Sequence, residues 1–246
     1  MKTRSTPIPR PPPYLNQILN ALTPASIERL QLRAIDLPLH HAIESPGTLI
    51  RHIYFLESGV ASMTTTFLDG DEAEVAVMGT ESLCGTAALL GVERSLNRVY
   101  MQIAGRGHTA PMSAAIEEFN RASRFHTLVI HAVEAQFLQT AQTAGCNSRH
   151  PVEQRLIRWL LLCDDRCDSA TFLISHDHLA DMLGTTRSTV TVAAGHLQQQ
   201  GLIRYSRGKI HILDRPGLEL VCCECYATLQ NHLALVAPPV ALARPA

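Results

Sequence analysis

Between Leu37 and Met112 apolar residues alternate over short spans that end in turn residues. Ile50 to Leu56 reads as a strand closed by Glu57, Ser58 and Gly59. Val60 to Phe67 is rich in β-branched residues, and Asp69-Gly70 supplies a hairpin turn after it. Glu74 to Met78 alternates before Gly79, and Arg98 to Ile103 forms another strand before Gly105. Short strands at this spacing predict a small antiparallel barrel or sandwich, with a short helix between Glu81 and Leu90.

After Met112 the period changes. Phe119, Ile130, Val133 and Phe137, with Ala122, Leu128, Val129 and Ala132, recur at helical spacing, and no proline or glycine intervenes before Gly145. The pattern predicts one helix within Ser113 to Ala144, roughly 25–30 residues and so about 40 Å long at roughly 1.5 Å per residue. That exceeds what a small β-domain needs for cover, so part of the apolar stripe is expected to meet a second copy of itself. The alternative is a long helix packed only within its own chain. Gly145 to Pro151 reads as a hinge. Val152 to Leu162 is a further amphipathic helix carrying Leu156, Leu160, Leu161 and the only tryptophan, Trp159.

The stretch from Ser175 to Ile210 carries the chemistry. Ser175 can cap a helix with Asp177 in its first turn, and Gly184 can end it in the left-handed conformation. Ala180 permits close helix crossing, and Val190, Leu183 and Leu197 complete the seam. The second helix, Thr186 to Gln198, presents Thr186, Arg187, Ser188, Thr189 and Thr191 near its start. Leu202 to Tyr205, the turn at Ser206-Arg207-Gly208, and Lys209 to Ile212 then form a two-stranded wing. Such a unit can place its second helix in the major groove of DNA. Arg187 is expected to read a base edge with Ser188 and Thr191 assisting. Thr186, Thr189, Arg204, Arg207 and Lys209 are expected on phosphates.

The net charge of −1 is unlike that of most nucleic-acid binders, but the charge is uneven along the chain. Residues 1–148 hold 11 Lys/Arg against 13 Asp/Glu, and residues 149–215 hold 9 against 7. No apolar run reaches the roughly 18–20 residues of a membrane span, and the start, with Pro7, Pro9 and Pro11 to Pro13, has no signal-like apolar region. A cytoplasmic protein with a flexible lead-in is the expectation.

With strands, a long helix and this winged unit in that order, the chain resembles the Crp/Fnr family of bacterial transcription regulators over roughly residues 30–215. The resemblance implies an α+β chain. A flexible segment (1–25) precedes an antiparallel β-roll of double-stranded β-helix or jelly-roll type (26–112) and a long dimerisation helix (113–147). A winged helix-turn-helix (148–215) and a C-terminal helix and tail (216–246) complete it. It further implies double-stranded DNA, a second copy of the chain and RNA polymerase as partners.

Members that bind cyclic AMP use a Gly-Glu motif and an Arg-Ser or Arg-Thr pair. Here the matching stretch is Leu83-Cys-Gly-Thr-Ala-Ala-Leu, with Thr86 in place of the glutamate, and Arg98 is followed by Val99. This argues against cyclic AMP, and Arg98 remains only a candidate effector contact. The absence of any cysteine before Cys84 speaks against the iron–sulfur mode of the oxygen sensors. Nothing in the spacing of His40, His41, His52 and His108 singles out a haem ligand. Ser188 and Val192 stand where the best-known members have charged or polar readers, so the operator is expected to differ from the common family sites.

The seven cysteines, an odd number without a secretion signal, are expected to be reduced. Cys222 and Cys225 form a C-x2-C pair, and Cys163 and Cys167 are four apart. Both spacings fall within the range of zinc ligands, but the pairs flank the winged unit and Cys223 is left over. Small buried thiols, with no cofactor, are the expectation.

The reading is a DNA-binding homodimeric regulator of a palindromic operator, with a β-roll that answers to an effector of unknown chemistry or to none. Two alternatives are a redox- or metal-responsive regulator using its cysteines, and a nucleotide-binding interaction module that does not bind DNA. An enzyme is not expected, because the sequence contains no Gly-x-Ser-x-Gly, His-Glu-x-x-His or phosphate loop.

Overall fold

The computed structural model describes residues 13–167 and 169–236. The prolines at 7, 9, 11 and 12 and the tail with Pro238, Pro239 and Arg244 lie outside the described residues. Two short helices, α1 (Gln17–Asn20) and α2 (Pro24–Leu30), lead into seven strands: β1 (Arg33–Leu37), β2 (Ala42–Glu44), β3 (His52–Leu56), β4 (Val60–Thr66), β5 (Glu72–Met78), β6 (Arg98–Ile103) and β7 (Gly105–Pro111). They form two antiparallel sheets, one ordered β1-β7-β3 and the other β2-β6-β4-β5, facing each other as a β-roll. One helical turn, α3 (Thr86–Leu89), interrupts them. It is shorter than the span expected between Glu81 and Leu90.

The expected lead-in through residue 25 is structured from Asn16 onward. The Asn16 side chain accepts from the N–H groups of Ile18 and Leu19, both at 3.1 Å, and donates to the carbonyls of Leu56 at 3.1 Å and Ser82 at 3.0 Å. Ile18 and Leu19 are buried with Phe55 and Phe125. A sequence view finds a proline-rich, weakly patterned segment there and misses those tertiary bonds.

The single long helix is in fact two, α4 (Met112–Asn120) and α5 (Arg124–Arg149). The chain turns between them at Ala122, whose φ is 52°. Phe119 and Phe125 explain the break: six residues apart, they would point about 120° apart on a continuous helix, yet both are buried in one cluster. Glu118 anchors the corner, paired with Arg29 and, at 3.4 Å, with Arg121. At its other end α5 runs through Gly145, so the hinge is narrower than expected. It falls at His150, extended at φ −102° and ψ 145°. Pro151 forces that conformation on its predecessor.

Beyond the hinge come α6 (Val152–Asp164), β8 (Thr171–Leu173), α7 (His176–Met182), α8 (Arg187–Gln199), β9 (Ile203–Ser206), β10 (Lys209–Ile212), α9 (Arg215–Val221) and α10 (Glu224–Val236). Their core contains Leu156, Leu160, Phe172, Leu179, Val190 and Leu197, and it continues into Val60 and Val77 of the β-roll. Among the described residues no helix is long and apolar enough to cross a membrane.

Candidate nucleic-acid interface

The seam between α7 and α8 closes as the apolar spacing requires. Ala180, Leu183, Val190 and Leu197 are all buried. Ser175 Oγ caps α7 by accepting from the His178 N–H at 3.1 Å. Gly184 follows with φ +56°, the left-handed turn that lets α8 leave at an angle.

Thr186 caps α8: its Oγ1 accepts from the Thr189 N–H at 3.3 Å and lies 2.9 Å from Ser188 Oγ. Thr186, Arg187, Ser188, Thr189, Thr191 and Val192 are exposed at the start of the helix. Arg187 is 69% exposed and rests 3.3 Å from Asp177. An exposed pair of this kind is worth only about 0–1 kcal/mol, so the guanidinium is readily released to another acceptor. The Thr191 hydroxyl donates to the Arg187 carbonyl at 2.9 Å, leaving its methyl for apolar contact.

The wing is three-stranded, ordered β8-β10-β9. Arg207 and Gly208, at φ 49° and 73°, make the two-residue turn with both positions left-handed that suits a twisted hairpin. Arg204, Arg207 and Lys209 are exposed around it.

Two residues outside the expected set join helix and wing. The His176 ring stacks on Tyr205 with centroids 3.9 Å apart, and its Nδ1 lies 2.9 Å from Thr191 Oγ1. Burial, and then the nearby Arg187 charge, hold the His176 pKa below its ordinary value. The Tyr205 N–H donates to Gln198 Oε1 at 2.6 Å. These contacts fix the wing against the helix that it flanks. No local pattern announces them, because His176 and Tyr205 sit 29 positions apart.

The winged unit docks on the β-roll through its α7 side, leaving the α8 start open. Tyr100 Oη lies 3.4 Å from His178 Nε2, and the Ser62 hydroxyl lies 3.7 Å from Met182 Sδ. Arg166 pairs with Glu81 at 2.8 Å. Glu74 accepts from Ser62 at 2.6 Å, and burial pushes its pKa up to about 7.

In the β-roll, Arg98 pairs with Glu72 at 2.7 Å and lies over the Tyr100 ring. At the start of α3 the Glu44 carboxylate accepts from the Gly85 N–H at 2.8 Å and from the Ser95 hydroxyl at 2.7 Å. A carboxylate thus holds the amide at which an incoming anion would have to compete. His40, His41, His52 and His108 belong to no metal-type cluster among the described residues, and His108 lies 3.5 Å from Glu57. The one metal-type cluster among the described residues lies elsewhere: Cys146, His150, Cys223 and Cys225. It takes the leftover Cys223 in place of Cys222, while Cys163 is buried in the winged core. Cys222 and Cys163 thus stand outside the cluster that Cys225 joins.

A β-roll is thus joined through a long helix to a winged helix-turn-helix. Residues 154–221 match the Crp-like helix-turn-helix domain. The global nitrogen regulator of Synechocystis sp. is 28% identical over 181 residues, covering 68% of this chain and 78% of that protein. The global nitrogen regulator of Synechococcus elongatus is 25% identical over 214 residues, covering 82% and 96%. A solved Crp/Fnr-family regulator from Eubacterium rectale superposes with a TM-score of 0.66 at 17% identity, over 87% of this chain and 97% of that one. The chain thus carries a Crp-like helix-turn-helix domain, is similar over most of its length to Crp/Fnr-type regulators, and is a DNA-binding transcription regulator.

Proposed function

We propose that two copies of this chain bind an imperfect palindrome, each placing the start of α8 in the major groove of one half-site, with half-sites about one helical turn apart. The exposed, capped first turn of α8 carries this reading. Arg187 is the base reader, exchanging Asp177 for a guanine edge, with Ser188 and Thr191 beside it and Val192 available to a thymine methyl. Thr186, Thr189, Arg204, Arg207 and Lys209 contact phosphate.

The dimer reading is supported by α5. Ile130 and Phe137, seven residues apart, are 40% and 72% exposed, and Ala144, a further seven along, is exposed too. That is a heptad stripe for a second copy. The Glu44 and Arg98 pairings favour a β-roll that takes no cyclic nucleotide and answers to another effector or to none. RNA polymerase is the further partner, in the cytoplasm.

The test is fluorescence anisotropy with genomic DNA fragments over a range of salt. Binding should weaken steeply with salt, and replacing Arg204, Arg207 and Lys209 together by alanine should flatten that slope. Affinity indifferent to salt would contradict the reading and favour a winged unit that contacts protein.

A further inference from the structure

Four donor atoms from two distant parts of the chain meet beside the hinge. Cys146 lies in the last turn of α5, His150 ends that helix, and Cys223 and Cys225 lie at the junction of α9 and α10. Their Sγ and ring-nitrogen atoms all fall within 4.8 Å of one another. Cys146 Sγ is 3.8 Å from Cys223 Sγ, and Cys225 Sγ is 3.6 Å from His150 Nδ1. All three thiols are buried.

These distances have a specific meaning. A tetrahedral ion with Zn–S of about 2.3 Å separates its sulfur ligands by about 3.8 Å, and a sulfur from a nitrogen by slightly less. An iron–sulfur cubane spreads its cysteines over separate irons and holds them farther apart. The ligand set, three thiols and one imidazole, is that of a closed structural zinc site. The outer partner is also in place: His150 Nε2 lies 3.3 Å from Glu224 Oε2. A carboxylate there holds the proton on Nε2 and turns Nδ1 toward the thiols.

We propose that Cys146, His150, Cys223 and Cys225 bind one zinc-like divalent ion in a tetrahedral Cys3His site that staples the end of α5 to the C-terminal helices. The staple spans His150–Pro151, where the chain passes from the long helix into the winged unit, so the ion sets the stiffness of that joint. Ion binding itself does not depend on the DNA-reading proposal. Cys222 borders the cluster without joining it and serves as a control.

The experiment begins with elemental analysis of the full, untagged chain purified without chelators. One zinc per chain is expected, retained in Cys222→Ser and lost in Cys225→Ser. Because a ligand variant can fail to fold, the unaltered protein is also stripped and titrated with Co(II). A single equivalent should give the intense visible bands of tetrahedral thiolate-bound cobalt and raise the unfolding temperature. Glu224→Gln should weaken Co(II) binding by roughly 10–100-fold. Folded protein with no bound metal and only the pale spectrum of hydrated cobalt would overturn the site. So would acid-labile sulfide with bound iron, a Cys146–Cys223 disulfide in freshly isolated protein, or equal metal loss in Cys222→Ser and Cys225→Ser.

Discussion

Arg166 donates to Glu81 at 2.8 Å across the boundary between the winged unit and the β-roll, and its side chain is only 4% exposed. A second Arg166 bond goes to the Leu162 carbonyl at 2.7 Å. The pair therefore closes the winged unit onto the loop after β5 while leaving the start of α8 free.

Removing one partner of a pair this far from water leaves the other charge uncompensated. Arg166→Ala should lower stability by about 3–5 kcal/mol at most, with Arg166→Met losing less because its volume is kept. Chemical denaturation checks both. Equal stability in Arg166→Ala and the parent chain would contradict the pairing.

Glu74 gives this boundary a pH dependence. Burial raises its pKa from 4.5 to about 7; the Ser62 bond and the Arg158 charge oppose that rise. The other charged or titratable groups near it include Arg166, Tyr100 and the buried Cys163 thiol of α6, and burial keeps His178, on the docked α7, below its ordinary pKa. The docked state holds a proton that the opened state does not, so docking is strongest below about 4.5 and weakens as pH rises through about 7. The effect is worth up to roughly 3 kcal/mol. Trp159 fluorescence should report weakened docking as pH rises from about 4.5 through about 7, and Glu74→Gln should remove that transition. A transition unchanged in Glu74→Gln would assign it to another group.

The contact between His176 and Tyr205 is predicted to hold the wing in register with α8. His176→Ala should cost about 0.5–1.5 kcal/mol through loss of the stacked pair and speed hydrogen exchange at the wing tip. Unchanged exchange at Arg207 and Gly208 would show that the wing is held without it.

Phe137→Glu should convert dimers to monomers, as sedimentation would show, with operator affinity falling in parallel. A dimer unaffected by that change would place the interface elsewhere.

Local residue chemistry made much of the winged unit's helix pair legible in advance. Ser175 and Thr186 announce helix starts, Gly184 a left-handed stop, and Val190 and Leu197 a buried seam. All of these act within one or two helical turns. What stayed hidden depends on distance along the chain. β8 is three residues long and is a strand only because Ile210 and its neighbours pair with it. The corner between α4 and α5 follows from two phenylalanines sharing one core, a condition that helical periodicity does not encode. Cys146 and Cys223 are 77 positions apart, so no spacing rule could join them.

The decisive measurement is selection of bound fragments from a whole genome by the purified protein at two salt concentrations. An imperfect palindrome with half-sites one turn apart should be enriched, and Arg187→Ala should relax preference at one symmetric position at a cost of about 1–3 kcal/mol. Enrichment of a motif without symmetry, or one that Arg187→Ala leaves intact at uniformly lower affinity, would contradict the proposed function.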